Sequence, residues 1–270
     1  MGKHIVQFSG GTGSWAAARR LVDTLGSADD VVLMFADTKM EDPDLYRFLD
    51  EAAANIGAEL VTLSDGRDPW KVFFDVRLLG NTRADPCSRI LKRELIRKHL
   101  DEHYNPAEDI IYLGIDYEEV ERFENAKPHW APWTIRAPLC DMPYIPKPEW
   151  QRILVEDHGI ALPALYHLGF PHNNCGGFCV KAGHAHFENL LRTMPERYAE
   201  HERRELAFRE FLWATNAKTW DVAILRDRRG GITRPLTLKA LRERLEKQPD
   251  AFNKFDWGGC DCFTPVEGPK

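Results

Sequence analysis

Six consecutive residues near the start of the chain, Ser9-Gly10-Gly11-Thr12-Gly13-Ser14, have the composition of an anion cradle. The glycines let backbone N–H groups approach a charged ligand with no Cβ in the way. Ser9, Thr12 and Ser14 add hydroxyl donors. A helix starting here would aim unpaired N–H groups and the positive end of its dipole at the same point. The loop lacks the Gly-Lys-Ser/Thr ending of a Walker-type phosphate loop. With Ala at position 16 it also lacks the full Gly-x-Gly-x-x-Gly of a dinucleotide turn. Farther on, Arg89-x-x-Lys92-Arg93 and Arg97-Lys98 make a basic helix that is either a solvated surface or a source of cations for a transferring group. Glu118, Glu119 and Arg122 read as helix surface.

Six cysteines form the second group: Cys87, Cys140, Cys175, Cys179, Cys260 and Cys262. Cys140 reads as a small core residue. Cys175-x-x-x-Cys179 and Cys260-x-Cys262 are embedded in glycines, which lets backbone wrap a metal or a cluster, although neither has the Cys-x-x-Cys spacing of a zinc knuckle. In a reducing compartment such close pairs point to metal or redox chemistry rather than to disulfides. His184-x-His186 faces two sides of a helix, so these two and His172 read as surface or core residues rather than ligands.

The elements that must position these residues alternate. His4 to Phe8 is a short apolar strand running into the glycine loop. Trp15 to Leu25 has helical periodicity, with Ser14 placed as its cap and Gly26 as its stop. Val31 to Ala36 is a continuous apolar run, as in a strand covered on both faces. Asp42-Pro43 opens a helix that ends near Gly57. Leu60 to Leu63 and Ile110 to Leu113 complete four strands, with a charged helix from about Ser88 to Glu102 between them. This order predicts an α/β fold with a doubly wound parallel sheet, whose ligand lies beyond the carboxyl ends of the strands. Ser9 to Ser14, Ala36-Asp37-Thr38 and Gly114-Ile115-Asp116 are then expected to converge on one crevice. After about Pro138 prolines break the pattern. The division expected is an α/β domain over residues 1–140 and a helical, irregular region with the cysteine pairs over 141–270. The longest helix there runs from about Ala182 to Phe211 with a break at Pro195, and from Gly230 onward no strand pattern is visible.

The chain has 270 residues, 43% hydrophobic and 29% charged, enough for a sizeable core. Its net charge of −6 argues against a surface that grips nucleic acid throughout. The stretch from Arg226 to Lys247 is locally basic and reads as a solvated helical face or a patch for a phosphate-bearing substrate. With no secretory pattern and no apolar run long enough to span a bilayer, a cytoplasmic location without a membrane partner is expected. Oligomeric state is not legible.

Taken in order, Phe8 to Ser14, Phe35-Ala36-Asp37-Thr38, Asp42 to Tyr46, Pro86-Cys87-Ser88-Arg89-Ile90-Leu91-Lys92, Gly114-Ile115-Asp116 and Asn173 to Gly183 resemble the motif set of PP-loop ATP pyrophosphatases and phosphoadenosine phosphosulfate (PAPS) reductase-like proteins. The resemblance spans roughly residues 4 to 200. It implies an adenine nucleotide alpha hydrolase-type, Rossmann-like fold. Ser9, Gly10, Gly11, Thr12, Gly13 and Ser14 would hold the phosphates of ATP, with Ala36, Thr38 and Gly114 bordering the nucleotide. Arg89 and Lys92 would act on the transferring group. The implied reaction cleaves ATP to AMP and pyrophosphate, adenylating a small-molecule or nucleic-acid acceptor for nitrogen or sulfur transfer. The family's acidic PP-loop residue is replaced by Gly13. The Mg2+ carboxylate would then come from Asp37 or Asp116, and binding without turnover stays open as an alternative. A second alternative is a sulfonucleotide or sulfur-transfer protein. Iron–sulfur reductases of this group hold a [4Fe–4S] cluster through a cysteine motif at the position of Cys87 and a later pair. Here Ser88 replaces their second cysteine, so Cys87, Cys175 and Cys179 would need Cys260 or Cys262. An all-thiolate set suits either that cluster or Zn2+.

Overall fold

The computed structural model describes residues 2–81 and 84–259. Its centre is a five-stranded sheet, all parallel, in the order β3-β2-β1-β4-β5. The strands are β1 (His4–Gln7), β2 (Val31–Asp37), β3 (Glu59–Ser64), β4 (Ile110–Tyr112) and β5 (Thr134–Arg136). The order reverses direction between β1 and β4, so the helices that follow these two strands lie on opposite faces of the sheet and a crevice opens at their carboxyl ends. All seven residues of β2 are buried, because helices cover both faces. On one side lie α1 (Thr12–Leu25) and α2 (Pro43–Ile56), packed through Trp15, Leu21, Phe48 and Leu49 on Val6, Phe8, Leu33 and Phe35. On the other, α5 (Leu95–His103) and α6 (Val120–Trp130) pack Ile96, Leu100, Phe123 and Trp130 on Ile5, Met34, Ile111 and Leu113.

Local chemistry sets these boundaries. The Asp42 carboxylate accepts from the Asp44 N–H at 3.0 Å, Pro43 opens α2, and Gly57 closes it in the left-handed region. Gly26 closes α1 in the same way, at φ 75°. The cap expected at Ser14 is displaced. α1 starts three residues earlier with Gly11 as N-cap, and Ser14 lies inside the first turn, its hydroxyl donating to the Gly11 carbonyl at 2.9 Å. The charged helix is also more complex than expected. It begins as α4 (Pro86–Ser88), widens into a π-helix over Arg89–Glu94, and continues as α5.

A second core lies beyond the sheet. Here α3 (Pro69–Val76), which the sequence did not announce, packs Trp70 and Phe73 against residues of α9 (His184–Thr193), α10 (Pro195–Ala214) and α11 (Leu238–Lys247). The helical break expected at Pro195 is present, between α9 and α10. A small antiparallel pair, β6 (Leu225–Asp227) and β7 (Arg234–Leu236), corrects the expectation that no strand follows Gly230. The short helices α7 (Lys147–Arg152) and α8 (Ala164–His167) connect the two cores, and Trp150 and Leu154 pack in the same cluster as α1. Among the described residues no helix is long and apolar enough to cross a membrane.

Two buried titratable groups of the second core oppose one another. His201 accepts from the Trp70 indole N–H at 3.0 Å and stacks on Phe178 with ring centroids 3.8 Å apart. Burial pushes its pKa down to about 3. The Glu205 carboxylate accepts from the Ile224 and Leu238 N–H groups, yet burial pushes its pKa up to about 7. Between pH 6.5 and 4.5 the unfolded chain protonates His201 and the folded chain does not, so this residue removes stability as pH falls. Over the same window the folded chain protonates Glu205 and the unfolded chain does not, which adds stability as pH falls. Each effect is at most about 1.4 kcal/mol per pH unit. Urea unfolding across this window should show His201→Phe losing less stability on acidification than the parent, and Glu205→Gln losing more.

Candidate functional site

The loops after β1 and β4 meet through their glycines. A Cβ on Gly114 would lie 2.8 Å from the Gly13 carbonyl and from the Ser14 nitrogen, and one on Gly13 would lie 3.1 Å from the Gly114 oxygen. Backbone therefore touches backbone at the switch point. Beside this contact opens a cavity of about 120 Å3, lined by Gln7, Ser9, Gly11, Thr12, Gly13, Ser14, Gly114 and Asp116 from the two strand ends. Gly10, at φ 76°, turns the loop with its missing Cβ against Leu45. The first turn of α1 carries no acidic residue, so nothing on the helix itself offsets its positive end.

The opposite wall comes from the irregular region between β5 and α9: Lys147, Trp150, Tyr166, His172, Asn173 and Asn174. Asn173 ties this wall to the loop, its Nδ2 donating to the Gly10 carbonyl at 2.8 Å. The Tyr166 hydroxyl accepts from the Thr12 N–H at 3.3 Å. The Lys147 ammonium lies 5.1 Å from the centre of the Tyr166 ring and donates to the Pro171 carbonyl. Arg122, ion-paired with Glu119 at 2.9 Å, lines the same cavity. Burial, then the charges of Lys147 and Arg122, push the His172 pKa down to about 4, so this imidazole is neutral at ordinary pH.

Several polar atoms here are buried without hydrogen-bond partners among the described residues: the Thr12 hydroxyl, Asn173 Oδ1, the Trp150 indole nitrogen and both amide atoms of Gln7. Thr12 is fully buried and Asn173 is 2% exposed. Such groups are disfavoured in an apolar surrounding unless something pairs with them. Their concentration around one cavity beside a helix N-terminus makes it the candidate ligand site.

The structure sorts the remaining candidates. Of the two carboxylates, Asp116 lines the crevice and caps the following turn, accepting from the Glu118 N–H at 3.1 Å. Asp37 does not line it. Burial opposes its ionisation, but hydrogen bonds from Lys39 and Tyr46 outweigh that and hold its carboxyl below the usual range. Ala36 is packed inside the sheet's second face. Arg89 projects outward, 52% exposed and paired with Glu94 at 2.6 Å, while Lys92 is 5% exposed and turns inward to within 4.0 Å of Glu41. The π-helix separates them: its wider turn brings i and i+5 together, where an α-helix would align i and i+3.

Lys92, Thr38, Cys87, Cys175, Cys179 and Lys181 line a separate small cavity near the end of β2. Glu41 organises it, accepting from the Thr38 hydroxyl at 2.8 Å and from the Cys175 N–H. Three thiols expected to act together thus share one cavity. Among the described residues no group of three or more His, Cys, Asp or Glu is close enough to hold a metal ion. Cys260 and Cys262 lie outside the described residues. Cys140 is half-buried beneath the crevice floor, and burial pushes its thiol up to about 11. His184 reaches Asp256 and the Arg226 carbonyl, and His186 the Gly177 carbonyl, so the two point apart as expected.

No family model and no curated protein matches the chain. A solved reductase is similar. It is phosphoadenylyl-sulfate (PAPS) reductase from Candida auris, in a phosphate complex, at 15% identity and a TM-score of 0.42, over 62% of this chain and 78% of that one.

Of the lining residues, Lys147, Tyr166 and Trp150 carried no signal in the sequence. Asn173 and Asn174 stood within a quoted motif, but only the fold gives them a wall to build.

The glycine contact should be intolerant of any side chain. Gly114→Ala should lower the melting temperature by several degrees, since displacing packed backbone costs about 1–3 kcal/mol. It should also weaken pyrophosphate binding in calorimetry, because the loop must shift.

Proposed function

We propose that the crevice binds the phosphates of an adenine nucleotide, ATP in the first instance, on the loop Ser9 to Ser14. The observation that carries this reading is the Thr12 hydroxyl, fully buried and without a hydrogen-bond partner among the described residues, in the first turn of α1, which carries no acidic residue. A phosphate oxygen supplies the acceptor that this donor lacks, and the nearby charges of Lys147 and Arg122 favour an anion. The motif resemblance extends the reading to chemistry. An acceptor oxygen attacks the α-phosphorus, the bond to the bridging oxygen breaks, and pyrophosphate leaves with its electron pair. A nitrogen or sulfur nucleophile then displaces AMP from the adenylated acceptor. Mg2+ entering with ATP would be held by Asp116, which lines the crevice, and would neutralise the leaving pyrophosphate. Gly13 provides no carboxylate for that role.

A second reading, sulfonucleotide or sulfur-transfer chemistry, draws on the second cavity. Three thiols share that cavity with Lys92 and Lys181, a grouping of potential sulfur nucleophiles and cations. Among the described residues these thiols form no metal-ligand set, and Cys260 and Cys262 lie outside those residues, so no step is assigned to a cluster or to zinc.

Incubation with ATP, Mg2+ and candidate acceptors should release pyrophosphate. Tight ATP binding with no release under any of these conditions would leave a nucleotide-binding module without turnover. Thr12→Val, close to isosteric, should weaken ATP binding about tenfold, the loss of about 1.4 kcal/mol for one hydrogen bond to a charged group. Its melting temperature should stay level or rise, since a buried unpaired hydroxyl is removed. Equal ATP affinity in both proteins would place the phosphates elsewhere.

A further inference from the structure

Gln7, the last residue of β1, breaks the pattern of its surroundings. On its face of the sheet the neighbouring positions are Ile5, Met34, Ala36, Ile111 and Leu113, all apolar. A strand covered on both faces is expected to continue that run. Instead a carboxamide stands there, 2% exposed, with neither Nε2 nor Oε1 hydrogen-bonded among the described residues. It lines the crevice beside Ser9 and Thr12. An unbranched apolar side chain of similar length would avoid the desolvation of two unpaired polar atoms.

Phosphate can satisfy only half of this group. A phosphate oxygen accepts from Nε2, but Oε1 is itself an acceptor and needs a donor. A carboxamide is satisfied at both ends by a neutral partner presenting a donor next to an acceptor. Primary amides do so, and so do the lactam and amidine edges of nucleobases, which Gln and Asn read in a bidentate manner. We propose that Gln7 reads such an amide-type edge on the group lying next to the phosphates, and so selects what the crevice accepts. The proposal rests on the nucleotide reading only for the identity of that neighbour. The edge belongs either to the base of the nucleotide or to a separate acceptor, and the same chemistry serves both. A site that hydrogen-bonds a polar edge rejects the analogue lacking it far more strongly than a hydrophobic pocket could.

Gln7→Met tests this, with four probes measured by calorimetry on the full chain. ATP is compared with purine riboside triphosphate, which lacks the exocyclic amine. Uridine is compared with 3-methyluridine, which lacks the N–H, both in the presence of pyrophosphate. The parent should prefer the intact edge by tenfold or more in one of the two pairs, and Gln7→Met should lose that preference while pyrophosphate affinity changes less than threefold. Discrimination within the first pair assigns the edge to the nucleotide, and within the second to the acceptor. Ligand-free Gln7→Met should melt about 2–4 °C higher than the parent. The proposal is overturned if the parent discriminates neither pair, if Gln7→Met discriminates as the parent does, or if the ligand-free variant melts lower. Failure of the parent to bind pyrophosphate or ATP would instead overturn the phosphate reading, and the melting comparison would still decide the role of Gln7.

Discussion

The meeting of Gly13 and Gly114, backbone against backbone, is the constraint on which the site depends. It fixes how closely the loop after β1 approaches the end of β4, at the point where the strand order reverses. That distance determines the direction of the first turn of α1 and therefore where its N–H groups converge. It also determines how much room remains above the loop. A side chain at either position would push the two strand ends apart and blunt the crevice. Gly13 is thus part of the packing as well as part of the loop.

The parallel-sheet half of the fold was legible because its signals are local and strong. Asp42-Pro43 and Gly57 bracket α2 by capping chemistry alone, and the seven-residue β2 needs no tertiary context to be read. Short elements escaped. β5 has three residues hemmed by prolines at 132 and 138, too few for any period to show. β6 and β7 are equally short. The differing directions of Arg89 and Lys92 were not legible, because a π-helical turn inside a charged helix leaves no mark in the residue pattern; Arg89 points outward and Lys92 in. The far wall of the crevice was invisible for a different reason. Lys147 and Tyr166 sit on the short helices α7 and α8 and His172 on irregular chain, segments too short or aperiodic to reveal their direction before folding.

The two cavities differ in character. The crevice combines cations with neutral hydrogen-bonding groups, including a histidine kept uncharged, and its only lining carboxylates are Asp116 and Glu119 among the described residues. The thiol cavity is small and lined by the buried carboxylate Asp85, while a second buried carboxylate, Glu41, ties Thr38 to Cys175. His172 and Asn174 line both the crevice and a third hollow, which also contains Cys179. The segment from 172 to 179 is therefore a shared partition.

Tyr166 gives the loop a property that an open anion site lacks. Its hydroxyl already accepts from the Thr12 N–H, so a ligand arriving at that donor exchanges one oxygen for another. The net gain is the difference between the two, and it is small for weak, singly charged anions such as chloride. If the loop holds a polyphosphate as proposed, its several oxygens and greater charge would engage the other donors as well and so compete better with the phenol. The tyrosine would in this way set a threshold that disfavours small, singly charged anions.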